Sequence, residues 1–219
     1  MEMKHCLKTA SGFGGTNAAI VLSAADTVPE CAGFHPRGSL TVRTLKISEG
    51  RVEVDGRTVF SSDAGFDAFI REAFRSRGSA NMKFYKMDSA CKLAYVAAEW
   101  ILDGIEFGEE ECAVLMSGRY GSLDTDMNHQ SIIDREGDDY AAPSVFVYTL
   151  PNVAAAEISI RHHIKGENVW FSDAPMAELR HQAELASARE SLKYCLVGRS
   201  DFINGEYLAI FELLRFGEV

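Results

Sequence analysis

Thiols, imidazoles and clustered carboxylates are the groups with which this chain could do chemistry, and their spacing decides which chemistry. Its five cysteines, Cys6, Cys31, Cys91, Cys112 and Cys195, are odd in number, and no two stand in C-x-x-C spacing. That pattern builds neither a disulfide framework nor a zinc site and fits a reducing, cytoplasmic compartment. Cys91 falls in a helical pattern and Cys195 in an apolar run, so both read as buried filler. His162 and His163 are adjacent and diverge if helical; His129 stands alone, and His181 has only Glu178 and Glu184 as helical neighbours. Ser172, His163 and Asp173 supply the residue types of a hydrolytic triad, but the serine lacks a G-x-S-x-G elbow. Asp124, Asp126, Asp134, Glu136, Asp138 and Asp139 form an acidic stretch without the regular spacing and central glycine of a calcium loop, so it reads as a solvated surface. No metal and no cofactor is implied.

The elements that must position these groups follow from periodicity. Gly12 to Asn17 is a glycine-rich turn leading into the apolar run 18–22, a buried strand. Residues 24–38 connect it to strands at 41–47 and 51–54 and to a hairpin turn at Asp55-Gly56. Asp63 is placed to cap a helix whose one face carries Phe66, Phe69, Ile70, Ala73 and Phe74, closed by Gly78. A second helix spans about 88–103, with Gly104 as its stop. The run 113–117 is a buried strand, and 119–142 reads as loop with some helix. Pro151 suits a helix start. Then come a strand at 169–171, a helix over 178–193, and strands at 194–197 and 207–213 with an Asn204-Gly205 turn. This alternation predicts a layered α/β fold with a mixed sheet.

Bulk properties narrow the partners. With 219 residues and a net charge of −10, the surface repels nucleic acid. It also repels an acidic protein, except where Arg71, Arg75, Arg77, Lys83, Lys86 and Lys92 fall close together; their plainest reading is a solvated helix face. No stretch approaches a membrane span, and residues 1–7 lack a signal-peptide core.

Two motifs carry a resemblance. Ser11-Gly12-Phe13-Gly14-Gly15-Thr16-Asn17-Ala18-Ala19 resembles the C-terminal signature of β-ketoacyl-acyl-carrier-protein synthases, and Phe13, Gly14, Gly15, Thr16 and Asn17 are its core. Lys86-Met87-Asp88, the segment 114–122, Tyr148-Thr149-Leu150-Pro151-Asn152 and the segment 165–174 resemble, in order, elements of the N-terminal half of the same synthases. Residues 1–38 are therefore expected to be a synthase C-terminal-like motif, strand and connector, and 39–219 a synthase N-terminal-like domain. The order is unusual, because the glycine-rich motif closes those synthases and here it comes first.

The resemblance implies a thiolase-like fold, one half of the usual duplicated architecture. It also implies a site where a cysteine at a helix N-terminus takes an acyl chain as a thioester. Alignment of Ser172-Asp173-Ala174 with the residues before that cysteine puts Pro175 in its place. No catalytic residue is then expected. Tyr148, Asn152, Trp170 and Phe171 become candidates for lining an acyl tunnel or a subunit interface. The implied role is a non-catalytic, chain-length-factor-like partner in fatty-acid, polyketide or polyene assembly, paired with a β-ketoacyl synthase or with itself, and near an acyl carrier protein. The alternatives are a divergent acyltransferase of 3-oxoacyl-synthase type and a homodimeric scaffold without ligand.

Overall fold

The computed structural model describes residues 5–11, 17–23, 36–137, 143–188 and 192–217. The chain divides into two units, Met1–Phe34 and His35–Val219. In the first, β1 (His5–Ser11) and β2 (Asn17–Ser23) pair antiparallel, with Ser11 opposite Asn17. The sequence pattern shows the second of these strands and not the first. Phe13, Gly14, Gly15 and Thr16 lie outside the described residues, as do Cys31, Asp138 and Asp139. Asn17 opens β2.

The second unit is built on seven strands: β3 (Ser39–Ser48), β4 (Arg51–Val54), β5 (Arg57–Ser61), β6 (Cys112–Gly118), β7 (Asn168–Ser172), β8 (Tyr194–Ile203) and β9 (Glu206–Phe216). Their order in the sheet is β5-β4-β3-β9-β8-β6-β7. β6 runs parallel to β7 and β8; the other pairs are antiparallel. The sheet is mixed because hairpins join β3–β5 and β8–β9, whereas helices carry the chain from β6 to β7 and from β7 to β8.

One face carries α1 (Phe66–Ser76), α2 (Ser89–Ile101) and α5 (Asn152–His162). α2 is apolar nearly all round, and every residue from Cys91 to Glu99 is buried, as expected of a helix enclosed between a sheet and its neighbours. Phe74 and Phe84 stack with centroids 4.0 Å apart, and Tyr95 packs on both. Each such ring stabilises the fold by about 1.5–3 kcal/mol through burial. The opposite face has one long cover, α6 (Met176–Ala186), over Ala113, Leu115, Val197, Cys195 and Leu214. Beyond it the face turns polar: Arg180 on α6 makes a two-pronged bond to Glu212 at 2.6 and 2.5 Å, and Lys46 stands opposite Glu53. α6 directs Ala177, Glu178 and His181 to solvent. Leu208, which by alternation shares this face with Leu214, is 40% exposed.

Boundaries differ from expectation where polar chemistry overrides periodicity. α1 starts at Phe66 with Gly65, not Asp63, in the cap position. α3 (Leu123–Glu136) is a full helix within the segment read as mostly loop; it buries only Thr125, so it leaves no apolar stripe to detect. A short α4 (Pro143–Phe146) follows. α6 ends at Ala186, well before residue 193, because Ser187 turns its hydroxyl onto the Glu184 carbonyl (2.6 Å) and Arg37 donates to the Ser187 carbonyl (2.9 Å). Among the described residues no helix is long and apolar enough to cross a membrane.

Candidate functional site

The carboxyl ends of the three parallel strands meet at one rim. The connection from β6 to β7 passes through α5 on one face, and that from β7 to β8 through α6 on the other, the arrangement that opens a crevice at strand ends in α/β sheets. The junction from β7 to α6 is abrupt. Asp173 takes a positive φ of 49° while its amide donates to the Gly118 carbonyl at 3.0 Å. Arg199 from β8 then clamps the turn, donating to the Asp173 carboxylate at 2.7 Å and to the Ala174 carbonyl at 2.9 Å. Asp201 accepts the amides of Arg119 and Tyr120 at 2.6 and 3.0 Å, fixing the loop after β6. Gly118 is needed there, since a Cβ would lie 2.6 Å from the Ser200 carbonyl oxygen and 3.1 Å from the Trp170 ring.

Pro175 stands at the mouth of α6 as its cap residue, with φ −69° and ψ 159°, and is exposed. Its carbonyl accepts the amides of Glu178 (3.0 Å) and Leu179 (3.1 Å). The amides of Met176 and Ala177 belong to the first turn, where no helical acceptor precedes them, and they give this end of the helix a partial positive charge. A pyrrolidine ring at that point has no atom that attacks a carbonyl carbon. Asp173, the adjacent acid, is held by Arg199. The triad types do not assemble: Ser172 ends β7, whereas His163 caps α5 before that strand begins, with φ 55°.

Among the described residues the thiols Cys91, Cys112 and Cys195 are buried. Cys91 and Cys195 are held well above the ordinary thiol range, chiefly by burial, and burial pushes Cys112 up to about 12. Cys195 lies under α6 on the sheet face away from α2. His162 is not a surface histidine. It lies 3.4 Å from Glu99, which Arg161 grips at 2.7 and 3.3 Å and Ser79 also binds. Burial pushes Glu99 up, but these bonds outweigh it and hold the carboxyl below its usual range. Among the described residues no three metal-ligating side chains gather.

The four tunnel or interface candidates do not share one wall. Tyr148 (8% exposed) and Trp170 line a cleft with Asp88, Cys91, Val153 and Ser200, but it is closed to about 10 Å³. That is room for one water at most. Burial, ahead of the charges around it, raises Tyr148 to about 12. Phe171 points to the other side of β7 and packs with the α6 cluster, as the two-residue period of a strand requires. Asn152 is exposed on the first turn of α5. The clamp residues Arg199 and Asp201 are missing from the sequence reading; their partners lie 25 to 82 residues away, so no local spacing signals them.

No family model matches the sequence, and no curated protein matches it. Solved structures do. An ishigamide ketosynthase/chain length factor aligns at a TM-score of 0.60 and 15% identity, over 81% of this chain and 62% of that one. A ketosynthase in complex with its chain length factor from Xenorhabdus doucetiae aligns at 0.55 and 13%, over 83% and 80%. A β-ketoacyl synthase from Burkholderia phymatum aligns at 0.57 and 12%, over 83% and 59%. The chain thus spans about three fifths of the first and last of these. With its mixed sheet, helices on both faces and abrupt strand-to-helix turn, the chain has the thiolase-like fold of ketosynthases and chain length factors.

Proposed function

We propose that this protein is a non-catalytic, chain-length-factor-like partner of a β-ketoacyl synthase in fatty-acid, polyketide or polyene assembly, working in a reducing cytoplasm. The observation that carries the proposal is Pro175 at the mouth of α6, which the resemblance aligns with the sulfur nucleophile of a thiolase-like synthase. The turn, the clamp and the helix end are all built, and the reactive atom is lacking. The reading is supported by two structural neighbours, a ketosynthase in complex with its chain length factor and a type II polyketide synthase acyl-carrier protein in complex with its ketosynthase.

The partner's place follows from the sheet. Among the described residues β7 is an edge strand, paired only with β6. The amide of Asp173 and the carbonyl of Glu167 face β6, so by alternation the main-chain groups of Asn168, Trp170 and Ser172 face the open edge. An edge that no described strand pairs, with half-buried Val169, Trp170 and Phe171, is a template for another strand, and the partner that adds it is a synthase or a second copy of this chain. Exposed Arg71, Arg75 and Lys86 offer an acidic carrier protein a basic surface on an otherwise acidic molecule.

Tagged chain recovered from its native host tests the pairing. The expected result is a stoichiometric β-ketoacyl synthase, lost when Ser172→Pro removes an edge amide in a variant whose circular dichroism is unchanged. Recovery without a synthase overturns the proposed pairing, and a complex indifferent to Ser172→Pro overturns the edge as its seat.

A further inference from the structure

A cavity of about 630 Å³ opens between the N-terminal turn of α2, α3 and α4, and includes Lys86, Lys92, Asn128 and Ser144 in its wall. It borders the closed cleft, with Asp88 and Tyr148 common to both, but is a separate and far larger opening. Its size is that of a small-molecule site. Lys92 is its unusual member. The residue is 8% exposed, yet among the described residues no carboxylate lies within ion-pair distance of its ammonium. Its stem is buried and its ammonium opens into the cavity, as long lysine stems deliver their charge to open space.

The acids near it are already engaged. Asp88 accepts the Cys91 amide on one oxygen (2.8 Å) and the Thr125 hydroxyl on the other (2.5 Å). Asp124 accepts the Asn204 amide at 2.8 Å. On α1, Asp67 attracts the Lys92 charge and Arg71 opposes it; burial is the largest influence and lowers the ammonium's pKa. Lys86, exposed at the rim, has no acidic partner among the described residues either. Two ammonium groups outside ion-pair distance of any described carboxylate thus share one cavity wall with Asp88 and Asp124, with the hydroxyl of Ser144 and the amide of Asn128 as further donors.

We propose that this cavity binds the anionic head, phosphate or carboxylate, of a small organic molecule, with Lys92 as the charge that pairs it and Lys86 as the charge that admits it. The volume leaves room for an uncharged portion against Met87, Val145 and Tyr148.

Calorimetric titration of the full chain at low ionic strength, with inorganic phosphate in one arm and butyrate in the other, tests the site and tells the two heads apart. The expected result is saturable one-to-one binding of at least one anion. Lys92→Met should weaken it tenfold or more and Lys86→Gln severalfold, while Lys46→Gln on the far face of the sheet leaves it unchanged. If neither anion saturates, or Lys92→Met binds as the native chain does, the assignment is overturned. Should Lys92→Met fail to fold, reductive methylation of the native protein with carbon-13 gives a second reading. The Lys92 resonance must then move on anion addition, and a resonance that stays still overturns the site. The outcome is separable from the pairing proposal, because the titration needs no synthase.

Discussion

Pro175→Cys is expected to create a thiol that alkylates at pH 7 on the order of 1000 times faster than Cys112. A thiol near its ordinary pKa is a few per cent ionised at that pH. Cys112, at about 12, is ionised to roughly one part in 100 000. Position 175 is exposed and lies at the positive end of an 11-residue helix, so the new thiolate gains from the first-turn amides and its pKa falls below the unperturbed value. Cys91 and Cys195, both buried with raised pKa values, remain unlabelled beside it. Iodoacetamide pulses followed by peptide mapping read each site separately. If the introduced thiol reacts no faster than Cys112, the first-turn amides of α6 do not stabilise a thiolate there.

Gly166→Ala is expected to destabilise the fold by about 3 kcal/mol or more, beyond the usual range for a single overpacked position. A Cβ there meets the main chain of Cys112, its carbonyl carbon at 2.9 Å and its oxygen nearer still. Main chain cannot step aside as a flexible side chain can, and this stretch of it opens β6, which pairs with both β7 and β8. The collision therefore acts on all the parallel strands that shape the candidate site. Gly38→Ala is the control: nothing lies within 4 Å of a Cβ there, and the change stays within about 0.5 kcal/mol. Urea unfolding followed by circular dichroism measures both. Equal midpoints for the two variants contradict the packing.

Much of the fold is legible in the sequence because apolar residues mark its buried faces. Phe69, Ile70, Ala73 and Phe74 mark α1, and the run 113–117 marks a strand buried on both sides. α3 is not legible, because a helix lying on the surface buries one residue and shows no stripe. The early end of α6 depends on Arg37, 150 residues away in sequence, and no window of sequence contains both. The junction is legible in one respect: Pro175 stands where a strand gives way to a helix, which the family resemblance implies. Its clamp is not, since Arg199 and Asp201 come from a strand across the sheet. Trp170 and Phe171 show a further limit. They look alike as neighbouring aromatics, but strand geometry sends them to opposite faces, so only Trp170 reaches the cleft with Tyr148.

The most direct test of an inert elbow is whether the isolated chain accepts an acyl group. The purified protein, incubated with an acyl-carrier thioester, should keep its intact mass at every time point, and added synthase should restore acyl capture on the synthase alone. A mass increase of one acyl group on this chain, mapped to a single residue and abolished by replacing it, would contradict the companion role.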